Sequence, residues 1–457
     1  MPVDSSRALS SQTEVCDDQP FAVLTWQAEQ NAQPRTAKEF RVQPTPFRSD
    51  EHLRHALLLT LCDPVPPECP WLHALSRDQW RRLLRWFDLS GLALYFLDRI
   101  VELQAASSLP APVLASLQQR LSDNTERMHS MIAEATAIQS EFQKAGLWYA
   151  LLKGLSLWPS SVPRPELRSQ FDLDFLVAEE DLPEARMILE HRGYRLYATS
   201  GRSWEFKRNE RPGITLKDLY KDVGSWRAEL HEEPASSTHT SQLDRLEWRK
   251  LCGFAMPVLS PVDLFLGQGL HAYKHICSEF VRVANLIEFR RHVLFRRDDH
   301  AFWRDVRRRA EENPHAAVSL GVTILLITQT TGEFAPEDLT SWTSDCLPLS
   351  VRLWVERYGH RAVFGDYPGS KLYLLLQGEL ESAGLQAKRS LRQSLIPLCL
   401  PPPVIRAVPD EPFVMRLRRY RMQLHLIVSR LRFHLVEGLR FAWESHRWRR
   451  LLDRVAP

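Results

Sequence analysis

Long apolar runs are missing from this 457-residue chain. No stretch approaches the roughly 18 consecutive apolar residues that cross a bilayer, and the opening residues hold neither the basic region nor the apolar run of a secretory signal. The expectation is a protein neither exported by that route nor threaded through a membrane. Cysteine is sparse and unpatterned: Cys16, Cys62, Cys69, Cys252, Cys277, Cys346 and Cys399 are odd in number and contain no CxxC pair. That excludes a disulfide framework and a zinc knuckle, and suits a reducing cytoplasm. Lysine is scarce as well, with 10 against 49 arginines. Genome base composition produces such a skew as readily as selection for arginine chemistry, so arginine richness alone carries no functional argument.

What is present is ordinary globular composition, 44% hydrophobic and 25% charged, which rules out a collagenous, mucin-like or wholly disordered protein. A formal charge of +3 exerts no whole-chain pull on nucleic acid. Its distribution is uneven: residues 401–457 hold 12 Arg against 5 Asp and Glu, a net +7, and the first 400 residues are left at −4.

The hydrophobic period divides the chain. Residues 1–48, rich in Gln, Ser, Pro and Thr without periodicity, read as a disordered leader. Helical spacing occupies 49–145 and ends in a long helix from about Pro112 to Ala145, closed by Gly146. An α/β core follows over 146–258. Its expected strands are Leu147–Leu152, Phe171–Val177, Tyr194–Tyr197, Ser203–Arg208, Gly213–Leu219 and Ser225–His231, with a helix over Leu182–Arg192. Helices return over 259–397, and 398–457 reads as a Pro-rich connection and a basic amphipathic helical tail. The fold class is α+β: a small sheet core flanked by helical regions. An arginine band from Arg290 to Arg309 reads as a solvated helical surface.

The chemistry concentrates in Phe171-Asp172-Leu173-Asp174-Phe175-Leu176-Val177. Side chains alternate along a strand, so Asp172 and Asp174 share one face with α-carbons about 6.5–7 Å apart, while the apolar residues take the other. Two carboxylates so placed repel unless a cation sits between them, and Mg²⁺ favours one or two carboxylates together with substrate phosphates. Lys153-Gly154, expected at a strand-to-helix junction, would offer a polyphosphate a cation and free backbone N–H groups. Arg168 is placed to reach the same anion.

Taken together, Leu152-Lys153-Gly154, Arg168, the Asp172 to Val177 strand, Gly193-Tyr194, Glu229-Leu230-His231 and the His271 to His275 pair resemble the uncharacterised bacterial nucleotidyltransferases of the DNA polymerase beta-type superfamily. The resemblance covers about residues 115 to 330. It implies a minimal polymerase-beta-like core that binds Mg²⁺ or Mn²⁺ through Asp172, Asp174 and Glu229 and moves an NMP from an NTP to a hydroxyl acceptor. It assigns nucleotide and phosphate contacts to Lys153, Gly154 and Arg168, with His231, His271, Lys274 and His275 as candidate substrate contacts. Lys153-Gly154 stands where that superfamily usually has Gly-Gly or Gly-Ser. A glycosyltransferase using the DxD for a nucleotide sugar, or a non-catalytic nucleotide-binding protein, remain the alternatives.

Of two further motifs, the first is dismissed as a pattern match alone and the second stays open. Gly267-Gln268-Gly269 imitates a dinucleotide fingerprint but sits in helical spacing with no strand before it. In the tail, arginines interleave with Leu, Phe and Trp in a pattern suited to an anionic lipid surface, RNA or an acidic protein groove. Leu424, Ile427, Leu431, Leu435 and Leu439 recur at helical spacing, which equally suits packing on the helical domain.

Overall fold

The computed structural model describes residues 49–62, 72, 74–209, 216–233, 241–251, 253–386, 391–395 and 413–455. The expected leader, the Pro-rich connection and part of the Gly213–Leu219 strand lie outside them. Helical spacing in the first region becomes α1 (Asp50–Leu59), α2 (Arg77–Ser90), α3 (Ala93–Glu102) and the 34-residue α4 (Ala111–Lys144). α2 starts at a reciprocal cap between Ser76 and Gln79 and stops at Gly91, whose φ of 78° an L side chain disfavours. α4 ends at Gly146, and the chain turns there into the sheet.

The sheet contains β1 (Tyr149–Leu152), β2 (Asp172–Ala178), β3 (Arg195–Ser200), β4 (Ser203–Arg208), β5 (Trp226–Glu233), β6 (Glu247–Leu251) and β7 (Phe254–Val258), with α5 (Leu182–His191) between β2 and β3. Their order is β3-β4-β5-β2-β1-β7-β6. β2 runs parallel to β5 and antiparallel to β1, and β1 runs parallel to β7, so the sheet is mixed. Leu173, Phe175 and Val177 of β2 are fully buried beneath Met131, Ile138 and Phe142 of α4 and Ala185 and Leu189 of α5. Burying side chains of this size contributes about 1.5–3 kcal/mol each. It also commits the alternate residues of β2 to the opposite face.

The strand expected over Gly213–Leu219 is corrected where it is described: Leu216–Asp218 forms a 3₁₀ turn. The reason is topological. β5 is already paired on both edges, by β4 and β2, and the Leu219 carbonyl accepts instead from Arg127 at 2.7 Å. The β6–β7 hairpin was not among the expected strands.

After the sheet come α6 (Pro261–Ile276), α7 (Val283–Phe295), α8 (His300–Ala310), α9 (Ala316–Thr331), α10 (Glu337–Thr340), α11 (Leu349–Phe364), α12 (Tyr373–Ser382), α13 (Leu391–Leu395) and α14 (Phe413–Val455). α6, α7, α9, α11 and α12 share one apolar core with α1–α3. The arginine band is not uniformly solvated: Arg290 is buried, Arg291 lies over the Tyr95 ring, and Arg309 pairs with Asp263. The packing expected of Leu424, Ile427, Leu431, Leu435 and Leu439 is corrected for the four leucines, while Ile427 is partly buried. Leu424, Leu431, Leu435 and Leu439 are exposed, and the buried residues of α14 are Phe433, Glu437, Ser445 and Trp448. Among the described residues, no helix is long and apolar enough to cross a membrane.

Candidate functional site

Strand register assembles the site. In the parallel pairing of β2 with β5, Asp174 stands opposite Glu229 and Leu176 opposite His231. Because Leu173 and Phe175 point into the core, Asp174 lies on the other face, and so do Glu229 and His231, whose neighbours Ala228 and Leu230 are buried in the same core. One ligand atom from each of Asp174, Glu229 and His231 falls within 4.8 Å of the others. The His231 Nε2 lies 3.0 Å from Asp174 Oδ1 and 3.5 Å from Glu229 Oε2. Ser203 of β4 donates its hydroxyl to Glu229. Asp172, at the head of β2, is one pleat away and outside this close set.

Charge in the cluster is finely opposed. Lys153 Nζ sits 2.9 Å from Asp174 Oδ1 and 3.4 Å from His231 Nε2. Burial works against the Lys153 charge, but Asp174, Glu229 and Asp172 outweigh it and raise the pKa. The hydrogen bond from His231 holds Glu229 well below the usual carboxylate range despite burial, and Ser203 adds to the effect. Burial would lower the His231 pKa, yet its bonds to Asp174 and Glu229 raise it. Asp172 goes the other way: burial and the neighbouring Asp174 raise its pKa, with Arg168 and Lys153 partly compensating.

Lys153-Gly154 is not at a strand-to-helix junction in the expected sense. β1 runs into a four-residue 3₁₀ turn, Gly154–Leu157, too short to present a helix dipole to a phosphate. Instead the turn reverses the Lys153 side chain onto Asp174, using positive φ at Lys153 (47°) and Gly154 (38°). A Cβ at Gly154 would overlap the Gln170 side-chain amide, which donates to the Asp172 carbonyl at 2.6 Å. Gly154→Ala is therefore expected to cost at least about 2 kcal/mol from backbone conformation and displacement of Gln170. Gly201→Ala, at φ 57° with open space around it, serves as the comparison. Equal melting temperatures for the two variants would show that Gln170 does not constrain Gly154.

Arg168 does not stand open toward the aspartates. Its Nε donates to Glu288 of α7 at 3.1 and 3.3 Å, and Tyr95 of α3 donates to the same carboxylate at 2.8 Å. Asn124 of α4 holds the Glu166 and Arg168 carbonyls at 2.7 and 3.2 Å, and Arg282 donates to the Ser169 carbonyl at 2.8 Å. The strap leading to Asp172 is thus pinned by α4 and by the N-cap and body of α7. Glu288, Tyr95, Asn124, Arg282 and Gln170 were absent from the sequence reading. Glu288, Tyr95, Asn124 and Arg282 act through partners distant in sequence, and Gln170 acts on a backbone carbonyl two positions away, which no side-chain pattern signals.

His271 and His275 sit one turn apart on α6, with ring centroids 4.7 Å apart. Burial first, and then each other's neighbourhood of cations including Lys153 and Arg168, push their pKa values down to about 2 and about 4. Both are neutral at pH 7. Lys274 is exposed instead. Gly267 and Gly269 lie inside α6 as expected, and a Cβ on Gly269 would meet Leu320 and Phe289, so that glycine serves close helix packing.

A family model described as an uncharacterised nucleotidyltransferase matches residues 76–330. No curated protein matches the chain. Among solved structures, the chain is similar to an antigenic nucleotidyltransferase-like protein from Paracoccidioides brasiliensis, at 11% identity over 41% of this chain and 90% of that one, with a TM-score of 0.26.

Proposed function

The chain belongs to this uncharacterised nucleotidyltransferase family, and on that premise we propose that it transfers an NMP from an NTP to a hydroxyl acceptor with release of pyrophosphate. The motif order supports reading it as a bacterial member of the DNA polymerase beta-type superfamily. The observation that carries the chemistry is the β2–β5 register, which sets Asp174 opposite Glu229 with His231 alongside.

Two carboxylate oxygens and an imidazole nitrogen within 4.8 Å fit a divalent cation, and Mn²⁺ accepts the nitrogen more readily than Mg²⁺ does. A cation held by Asp174, Glu229 and His231, with Asp172 beside them, would supply charge neutralisation to the triphosphate and the attacking oxygen. The chain's own residues supply the rest. Lys153 brings a positive charge to the edge of the cluster, within reach of a phosphate once Asp174 has another partner. Ser203 fixes the Glu229 carboxylate in orientation. The strap pinned by Asn124, Arg282 and the Arg168–Glu288 pair keeps Asp172 in line with Asp174. Neutral His271 and His275 offer hydrogen-bonding nitrogens toward a substrate without adding charge.

The test is a screen of the four NTPs, each labelled at the α-phosphate, with Mg²⁺ or Mn²⁺ against protein, tRNA and small hydroxyl acceptors. Label should move to one acceptor class while pyrophosphate appears in equal amount. Absence of any labelled product, together with no metal-dependent retention of NTP by the protein, would overturn the assignment.

A further inference from the structure

α14 carries an apolar stripe that nothing in the described structure covers. Phe413, Leu424 and Leu435 recur at intervals of eleven residues, as do Leu417, Val428 and Leu439. Three helical turns take 10.8 residues, so an eleven-residue repeat keeps such a stripe on one face along the helix. The structure leaves it open: Phe413 is 74% exposed, Leu424 62%, Leu435 66% and Leu439 66%. The residues that face the protein body, Phe433, Glu437, Ser445 and Trp448, lie on another side. From Phe413 to Leu439 the stripe is about 40 Å long at 1.5 Å per residue.

Its surroundings are of one sign. Between Phe413 and Val436 there are six arginines, Arg416, Arg418, Arg419, Arg421, Arg430 and Arg432, and no acidic residue. The first acid after them, Glu437, is buried and accepts from the Lys371 N–H. Arg430 pairs with Glu279 of the body, and Arg418, Arg421 and Arg432 are exposed.

We infer that α14 is a docking surface for an anionic lipid membrane, lying in the interface plane with the leucine stripe among acyl chains and the arginines at the headgroups. The charge pattern selects this occupant. A second copy of the helix would bring arginine shoulders against arginine shoulders with no acid between them, so the face is not self-complementary. A polyanion such as RNA would satisfy the arginines and leave the leucines in water. An anionic bilayer satisfies both, through apolar insertion of about 5–10 Å and attraction to the negative headgroups. The inference is independent of the proposed transfer chemistry.

The experiment uses the full chain in flotation with phosphatidylcholine vesicles, with and without phosphatidylserine, at low and high salt. Binding should require phosphatidylserine and fall by about tenfold or more as salt screens the attraction. Two triple variants divide the contributions: Leu424→Gln with Leu431→Gln and Leu435→Gln, and Arg418→Gln with Arg421→Gln and Arg432→Gln. Each should weaken flotation by about tenfold or more while leaving the melting temperature unchanged, because all six side chains are exposed. No flotation at low salt would overturn the inference, as would flotation unaffected by the leucine variant. A concentration-dependent dimer that the leucine variant abolishes would reassign the stripe to a second copy.

Discussion

Asp174→Asn is expected to lower nucleotidyl transfer by on the order of 10³-fold, which corresponds to about 4 kcal/mol of transition-state stabilisation. The carboxylate is the common partner of Lys153 and His231, at 2.9 and 3.0 Å, and it faces Glu229 across the ladder. Its amide replacement keeps the shape and removes the charge around which the others are arranged. The same substitution should lower the melting temperature, since Lys153 and His231 then stand 3.4 Å apart without the carboxylate that reconciles them. Asp172→Asn gives the opposite stability result. Burial and Asp174 already raise the Asp172 pKa, so removing its charge relieves repulsion and the melting temperature holds or rises. The pair of aspartates that alternation makes equivalent is therefore expected to separate in a thermal melt. Activity of a folded Asp174→Asn protein within tenfold of the parent would take Asp174 out of the reaction.

Glu288→Ala is the second large effect, and it acts on the fold. Glu288 is 2% exposed and accepts from both Arg168 and Tyr95. Its removal leaves a buried guanidinium and a buried hydroxyl without their shared acceptor, a loss of about 3–5 kcal/mol for a broken buried pair. Unfolding should shift down by several degrees. Replacing both charged partners, Arg168→Met with Glu288→Leu, should recover much of that loss, because no unpaired charge remains. Equal melting of Glu288→Ala and the parent would mean that solvent, and not Glu288, satisfies Arg168.

The alternation in Phe171 to Val177 made both the β2 strand and its polar face legible, because a period of two leaves no other assignment of seven residues. The long helix ending at Gly146 was equally readable, from three- and four-residue steps and a glycine stop. Arg168 was readable as a charged residue near the aspartates, but its partner stands 120 positions away on α7, and no local pattern carries that distance. Lys153 was read as a phosphate ligand from its place before a glycine. The positive φ that turns its side chain onto Asp174 is a backbone property with no signature in a lysine. The β6–β7 hairpin escaped because Glu247-Trp248-Arg249-Lys250-Leu251 has no clean alternation, and its Trp248 is 63% exposed. In the tail, spacing revealed a stripe without revealing which side of the helix meets the protein.

The β2–β5 ladder separates the geometry of the carboxylates from the length of chain that joins them. Glu229 is placed by its hydrogen-bonded neighbour strand and not by the 54 residues that follow Asp174 on the way to it. Extra residues inserted between β4 and β5 would lengthen that path and leave both side chains where they are. A single residue deleted within β5 would do the reverse: Glu229 would turn toward the apolar core, and Ala228 or Leu230 would come to stand opposite Asp174. The connections around this sheet can accordingly change in length without moving the cluster, while a frame of two strands cannot shift by one position without erasing it.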